Sequence, residues 1–326
     1  MAIAPANFGS FSNALLVGNF GDGRINAYDA TTGASLGALL DSKGNTLKIF
    51  GLWGLQVGNG KSGGDSNAVY FTAGPGNEQH GLFGSLQAAP VAATSNPVVN
   101  GADFQAGIAQ FSWISVFGAN LSSTTRTWLS SDMPGGKLPT QLDNVTVTVD
   151  GKPAYVAYIS PTQINALVSA DLTLGPVQVS TANQGLASGS VTAQMQATTP
   201  AFFISKSNYA AALHSNNTVV GPTTLFANNS TPVAPGETIM LFGTGFGPAN
   251  TAIPDGQTIT TPIPISGVTV TIAGVPSQVT FAGLVMPGLY QVNVVIPAST
   301  ANGDAQVVAT VGNSVTPAGP LVSVHN

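Results

Sequence analysis

Runs of alternating apolar and polar residues, closed by Gly, Pro, Asn or Asp, recur from one end of the chain to the other. Val145–Val149 (VTVTV), Val268–Ile272 (VTVTI), Tyr290–Ile296 (YQVNVVI) and Ala305–Val311 (AQVVATV) are examples. Successive side chains of a strand point to opposite faces, so a period of two predicts strands with one buried face, whereas helical spacing is hard to find. An all-β protein is expected. Asp150-Gly151 and Ala273-Gly274 each stand between two alternating runs and predict tight hairpins. Gly118 and Gly243 close an apolar strand each, where a bulge or turn is expected.

The runs also repeat in order. Ile114–Leu121 (ISVFGANL) matches Ile239–Phe246 (IMLFGTGF), 125 residues on, and VTVTVDGKPAYVAY from Val145 matches VTVTIAGVPSQVTF from Val268, 123 on. Gln163-Ile164-Asn165 matches Gln291-Val292-Asn293, and Gly175–Val179 matches Gly303–Val307, both 128 on. Four blocks in one order, with offsets that drift only by loop length, predict two homologous domains, here bounded as 91–205 and 206–326. Each holds about seven short strands, the pattern of an immunoglobulin-like sandwich, though neither has the Cys and Trp pair of antibody domains.

The blocks ATTPAFFISKSNYAAALHSNN, PVAPGETIMLFGTGFGP and VTVTIAGVPSQVTFAGLVMPGLYQVNVVIPASTANGDAQVVATVG carry a family likeness. With them, residues 200–324 resemble the Solibacter-type uncharacterised C-terminal domain over essentially the whole module. Residues 96–199 resemble a more divergent copy, through GADF, VFGANL and SPTQIN. The resemblance implies two tandem immunoglobulin-like sandwiches in an extracellular bacterial protein and implies no activity. Residues 1–90 differ. ALLVGNFGDGRINAYDATTGASLGALLD, GLWGLQVGNG and AVYFTAGPGNEQHGLFGSL resemble blades of an NHL-like bacterial β-propeller family that is equally uncharacterised. A propeller needs roughly four to eight blades and this stretch supplies about two, so an incomplete propeller-like antiparallel sheet is expected. It is either the tail of a longer propeller or a set of strands pairing with the sandwich or a second chain. Ala88–Asn96 reads as the linker.

Composition narrows the setting. Charged residues make up 6% of the chain against a usual value of about 25%, so Ser, Thr, Asn, Gln and Gly must make the surface polar, as in secreted and cell-surface β proteins. A mean hydropathy of +0.27 argues against disorder. Eight scattered Lys and Arg and a net charge of −5 exclude nucleic acid as a partner. Without cysteine there are no disulfides, thiolate zinc sites or cysteine nucleophiles. No apolar run reaches the roughly 20 residues of a membrane span. The first residues lack the regions of a signal peptide, so the secretion signal is expected upstream.

Candidate chemistry is sparse. The acidic residues include only two glutamates, Glu78 and Glu237, and the histidines are His80, His214 and His325. Hydrolysis of a glycoside by the common route needs two carboxylates about 5–9.5 Å apart. Asp22, Glu78 and His80 are the catalytic candidates, with His80 beside Glu78 the strongest; Asp22 and Asp29 also suit turns, and loop roles compete throughout. A serine nucleophile would need a histidine oriented by a carboxylate, and no Gly-x-Ser-x-Gly elbow exists. Gly243–Gly247 (GTGFG) reads as structural turn glycines rather than a phosphate loop. No organic cofactor is implied. Calcium is the one metal whose chemistry fits, through Asp143, Asp150 and Asp171, without a recognised calcium motif. Trp128, in the polar loop TTRTWLSSDMPGG, forms with Tyr155 and Tyr158 a candidate stacking platform for sugar rings; core capping is the competing reading. Trp53 and Trp113 lie in apolar runs and are expected in cores.

The leading reading is therefore an extracellular binding, adhesion or spacer protein that contacts polysaccharide or a cell surface. The alternative is a secreted hydrolase of polysaccharide or ester substrates, with its site in the N-terminal piece or at its junction with the first sandwich. A third is self-association, because open β edges with few Lys or Glu residues are prone to pair.

Overall fold

The computed structural model describes all residues except 42–44, 90, 93–96, 171, 228 and 326, and describes residues 91 and 92 through their backbone alone. The chain is all-β, with three single-turn 3₁₀ helices as its only helical elements among the described residues. At the N-terminus, Ala2–Ile3, Leu15–Gly18, Ile25–Tyr28 and Ser35–Ala38 form an antiparallel meander, and Leu52–Val57, Val69–Ala73 and Leu82–Leu86 form a second. The two blade-like sheets bury Leu16, Ile25, Leu52 and Val69 between them. Asp22 and Asp29 hold the turns expected of them: Asp22 Oδ1 accepts from Arg24 N at 3.1 Å, and Asp29 Oδ1 from Thr31 N and Thr32 N at 2.9 and 2.7 Å.

Two stacked β-sandwiches follow. In the first, a sheet built on Val145–Val149, Gly175–Asn183 and Val191–Gln196 faces one built on Tyr155–Ile159, Gln163–Leu167 and Trp113–Ala119. Val145, Val147 and Val149 point inward and are buried, while Thr146 and Thr148 face out, as the period of two requires. On the outer face hydroxyls do the work of charges: Thr148 Oγ1 and Ser180 Oγ lie 2.7 Å apart, and Gln178 donates to Thr192 at 3.0 Å. In the second sandwich, Thr238–Thr244, Leu289–Val295 and Val279–Met286 face Gly303–Val311 and Val268–Ile272.

Both expected hairpins are two-residue turns with left-handed central residues: Asp150 and Gly151 at φ 50 and 77°, Ala273 and Gly274 at φ 52 and 76°. Gly243 has a different reason from the one expected. The Ala201–Phe202 strand pairs beside it so closely that a Cβ there would lie 2.3 Å from the Ala201 carbonyl oxygen, so close backbone approach rather than a bulge selects glycine. Of the stretch expected as a linker, Val91–Ala92 pairs as a short strand with Gly118 and Ala119.

The registers of the two sandwiches correspond. Tyr155–Ile159 slips by one residue against its partner between Val156 and Tyr158, and Val279–Met286 slips at the equivalent place, between Val279 and Phe281. In both, a Gln amide donates to an Asn two residues on at 2.8 Å, Gln163 to Asn165 and Gln291 to Asn293.

The sandwiches share a core. Phe111, Leu138 and Leu167 of the first are buried in the same cluster as Val270, Tyr290 and Val307 of the second. Equivalent loops meet across the junction: Met133-Pro134-Gly135-Gly136-Lys137 lies against Ile253-Pro254-Asp255-Gly256-Gln257. Leu138 N donates to Gly256 O at 2.9 Å and Thr258 N to Gly136 O at 2.8 Å, so corresponding residues exchange hydrogen bonds. Thr244, fully buried, accepts from Trp113 N at 2.9 Å and donates to Gly288 O at 2.9 Å.

This shared core predicts cooperative unfolding of the two sandwiches. Leu167→Ala opens a cavity in it and is expected to cost about 2–4 kcal/mol and to split the common transition into two. Scanning calorimetry checks both the loss and the splitting.

Candidate functional site

The only aromatic-lined cleft among the described cavities that holds residues of the expected stacking platform lies on the outer face of the Trp113–Ala119, Gln163–Leu167 and Tyr155–Ile159 sheet, at the sandwich junction. It has a volume of about 290 Å³ and is lined by Trp113, Trp128, Tyr158, Asn165 and Phe203, among others. Tyr155 and Tyr158 are three apart and would point to opposite faces of a regular strand. The slip between Val156 and Tyr158 inserts one extra residue, so both tyrosines face outward while Val156 and Ile159 stay fully buried.

Trp128 owes its position to a clamped loop. Its N–H donates to Ala157 O at 2.8 Å. Just before it, Arg126 is gripped by two carboxylates, Nη1 to Asp132 Oδ2 at 2.8 Å and Nε to Asp143 Oδ1 at 2.9 Å, while Leu129 N donates to Asp132 Oδ2 at 2.7 Å. Hydrogen bonds to the two carboxylates push the guanidinium above its ordinary range, and Arg126 in turn holds Asp132 below the usual carboxylate value. The Trp128 indole meets Trp113 edge to face, with centroids 5.6 Å apart at 71°. It packs on both sandwich cores, so it caps a core and lines the cleft at once.

Asn165 supplies polarity. Its Oδ1 accepts from Ser115 Oγ at 3.0 Å and Gln163 Nε2 at 2.8 Å, which fixes the orientation of an amide that lines the cleft.

Tyr155 belongs to the junction instead. A Cβ at Gly256 would lie 2.8 Å from the Tyr155 hydroxyl, and the Asp255 carboxylate receives Ser169 Oγ at 2.6 Å. Desolvation there, helped by the charge and hydrogen bond of Asp255, pushes the Tyr155 phenol up to about 12.

The catalytic candidates are not assembled. Asp22 pairs with Arg24 at 3.5 Å, Glu78 Oε1 accepts from Trp53 Nε1 at 3.3 Å, and His80 is exposed. No hydrogen bond or ion pair joins any two of them among the described residues, and none lines a described cavity. Trp53, expected in the core, is 52% exposed: the strand slips between Leu52 and Gly54, leaving Trp53 as the extra residue lying over Gly74. The described calcium candidates have other roles. Asp143 is taken by Arg126 and by Thr124 Oγ1 at 2.6 Å, Asp150 is an exposed turn residue, and Asp171 lies outside the described residues. No group of three metal-ligating side chains occurs among the described residues.

One constellation carries no mark in the sequence. His214, 6% exposed, has Nδ1 2.5 Å from Glu237 Oε1 and Nε2 3.1 Å from Thr231 Oγ1, an order of groups resembling a hydrolytic triad. Nε2 is also 3.0 Å from the Thr231 carbonyl oxygen, which only accepts, so this nitrogen faces an acceptor as well as the hydroxyl, unlike the base of a triad. Glu237 Oε2 accepts from Ala234 N at 3.1 Å. The group ties the edge strand Ser230–Thr231 to the inner strand Ala212–His214 and to the turn that precedes Thr238–Thr244. Residues 23 positions apart, facing each other across a sheet, give no signal in local spacing.

No family model matches the chain. Two uncharacterised proteins of Acanthamoeba polyphaga mimivirus are each 40% identical to it, over 83 and 86 residues, 26% of this chain in both cases and 20% and 22% of their own lengths. The chain thus spans about a fifth of the curated relatives it matches. Among solved structures it is similar to the plexin A4 extracellular region, domains 1 to 8, at 12% identity and TM-score 0.26, over 97% of this chain and 27% of that one. It is also similar to SGBP-B of the Bacteroides ovatus mixed-linkage glucan utilization locus, in complex with a heptasaccharide, at 16% identity and TM-score 0.23, over 69% and 43%. The surface layer protein SbsC, domains 4–9, matches at 11% identity and TM-score 0.24, over 96% and 47%.

The raised Tyr155 phenol sets a pH window. A folded-state value above the free value of 10.0 means that its stabilising effect is whole below pH 10 and drains as pH climbs toward 12. Tyr155→Phe removes that share of the slope, so the stability gap between wild type and variant is expected to narrow across this window. Denaturant unfolding at stepped pH measures it.

Proposed function

We propose that the chain is an extracellular, non-catalytic binding protein, whose sandwiches are two copies of the Solibacter-type module and whose first ninety residues are NHL-like propeller blades. The carrying observation is the cleft in which Trp113, Trp128 and Tyr158 converge with the fixed amide of Asn165. An uncharged polysaccharide suits that lining. A pyranose ring offers a C–H face to an aromatic ring and hydroxyls to an amide, and a few placed polar groups in an apolar cleft are how such sites orient a ligand. Against the hydrolase reading stand the separate hydrogen-bonding duties of Asp22 and Glu78. No helix among the described residues is long and apolar enough to cross a membrane.

Trp128 is a poor probe because it supports both cores. Tyr158→Ala is expected to weaken retention on immobilised uncharged polysaccharide about fivefold with little change in melting temperature, whereas Glu78→Gln and His80→Ala leave retention as it was. Unchanged retention in the Tyr158 variant would overturn the reading.

Self-pairing has an observation of its own. Leu82–Leu86 stands at a sheet edge with no Lys or Glu to guard it, and carries Phe83, 70% exposed. Phe83→Lys is expected to shift concentrated protein from dimer toward monomer in light scattering, and a strict monomer in the wild type would dismiss the idea.

A further inference from the structure

We infer that the cleft is one end of a longer groove that binds an extended, uncharged polysaccharide chain, with Phe104 as its second aromatic contact. The inference rests on the binding reading above and adds the ligand's length and the far subsite.

Two cavities adjoin along the junction, with lining residues in common. The 290 Å³ cleft shares Gly101 and Phe203 with a larger one of about 450 Å³, lined by Phe104, Ile204, Asn208 and the segment Pro317–Pro320. Each cavity alone is the size of a small-ligand site, and the shared Gly101 and Phe203 set them side by side, with Tyr158 at one end and Phe104 at the other. Residues of both sandwiches line the two, so a ligand lying along them touches both.

Phe104 is the unusual feature of the second cavity. It is 51% exposed and held at φ 58°, a conformation that bulky residues rarely take. The turn around it enforces this. Phe104 N donates to Asn100 O at 3.0 Å, Asn100 N to Gln105 O at 2.9 Å, and Gln105 N to Asp103 Oδ1 at 2.8 Å. Asn100, 2% exposed, anchors the turn to the stretch leading into the second sandwich by donating to Thr199 O at 2.7 Å, and Thr199 N in turn donates to Gly245 O. Phe111 also has positive φ, yet it is buried and its packing accounts for it. Phe104 makes a tilted contact with Phe117, 6.0 Å between centroids, belongs to none of the buried core clusters, and lines the cavity. An exposed aromatic on a strained backbone, with nothing in the core to require it, points to a contact made with something outside the fold.

The lining sets the ligand's charge. Across both cavities the one ionisable carboxylate is Asp103, whose carboxyl is pushed above the ordinary range by burial, and no Lys or Arg lines either. An anionic polymer would find no counter-charge. Aromatic faces alternating with the amides of Asn165, Gln105 and Asn208 fit a neutral chain of sugars.

Native affinity electrophoresis of the full chain against a panel of uncharged polysaccharides (β-glucan, xyloglucan, mannan) picks the probe, and calorimetry then compares its disaccharide with its octasaccharide. Tyr158→Ala is expected to weaken both. Phe104→Asn, which places a residue at ease with positive φ, is expected to weaken the octasaccharide about fivefold, leave the disaccharide unchanged, and hold or raise the melting temperature. Octasaccharide binding that ignores Phe104→Asn, or equal loss for both lengths, overturns the extended groove while leaving the cleft intact. Retardation by none of the polysaccharides, or capture by a proline-rich peptide instead, overturns groove and cleft reading together. Retention abolished by high salt overturns the uncharged ligand.

Discussion

Burial of apolar surface between the two sandwiches is the constraint from which the rest follows. Immunoglobulin-like modules in tandem commonly move against one another, because an interface within a chain is usually small and polar. Here Phe111, Leu138 and Leu167 leave the first sandwich's own core to join that of the second, and Thr244 and the paired loops satisfy the backbone groups closed in with them. Apolar burial is worth roughly 25 cal/mol per Å² and has no direction of its own. The hydrogen bonds supply the direction: Leu138 to Gly256, Thr258 to Gly136 and Asn100 to Thr199 leave one way for the surfaces to meet. Phe203 follows directly on the Ala201–Phe202 strand, which pairs with Gly243 and Thr244 of the second sandwich, so release of that contact would part it from Trp113 and undo the cleft between them.

The scarcity of charge shapes what such a cleft does. With 6% charged residues the protein projects little long-range field, so ligand choice rests on short-range contact. The ions around the cleft and at the sheet edge serve structure. Arg126 is held between Asp132 and Asp143 to position the Trp128 loop, and Glu237 is held against His214. Exposed ion pairs are worth little individually, but two carboxylates on one guanidinium order a loop that a single pair would leave loose. Order in that loop is what keeps the Trp128 ring edge-on to Trp113.

Strands, hairpins and the all-β class were legible in the sequence because each is a local pattern: a period of two, or Asp-Gly between two runs. The site was legible only in part. Trp128 and Tyr158 do line the cleft, but Tyr155, grouped with them by proximity in sequence, faces Asp255 a hundred residues away. Strict alternation would set Tyr155 and Tyr158 on opposite faces; one inserted residue puts them on the same one, and nothing in the composition of YVAYI announces it. A similar slip turns Trp53 from a core residue into a surface one. Phe203 and Phe104 were invisible as cavity-lining residues, since their placement depends on how the second sandwich lands on the first.

The equivalence of the two sandwiches explains why only one carries the cleft. Register for register, Trp113 corresponds to Thr238 and Tyr158 to Phe281, while the Gln-Asn pair beneath them is kept in both. The kept residues hydrogen-bond along the strand and stabilise the sheet wherever it occurs. The altered ones face outward, where a stable fold makes no demand. In the first sandwich that outward face is the one the second sandwich half covers, so Trp113 has one side packed and the other free. Docking therefore does more than fix an angle: it gives an aromatic on a sheet surface a neighbour to pack against, so that the ring sits half-buried without loss of stability.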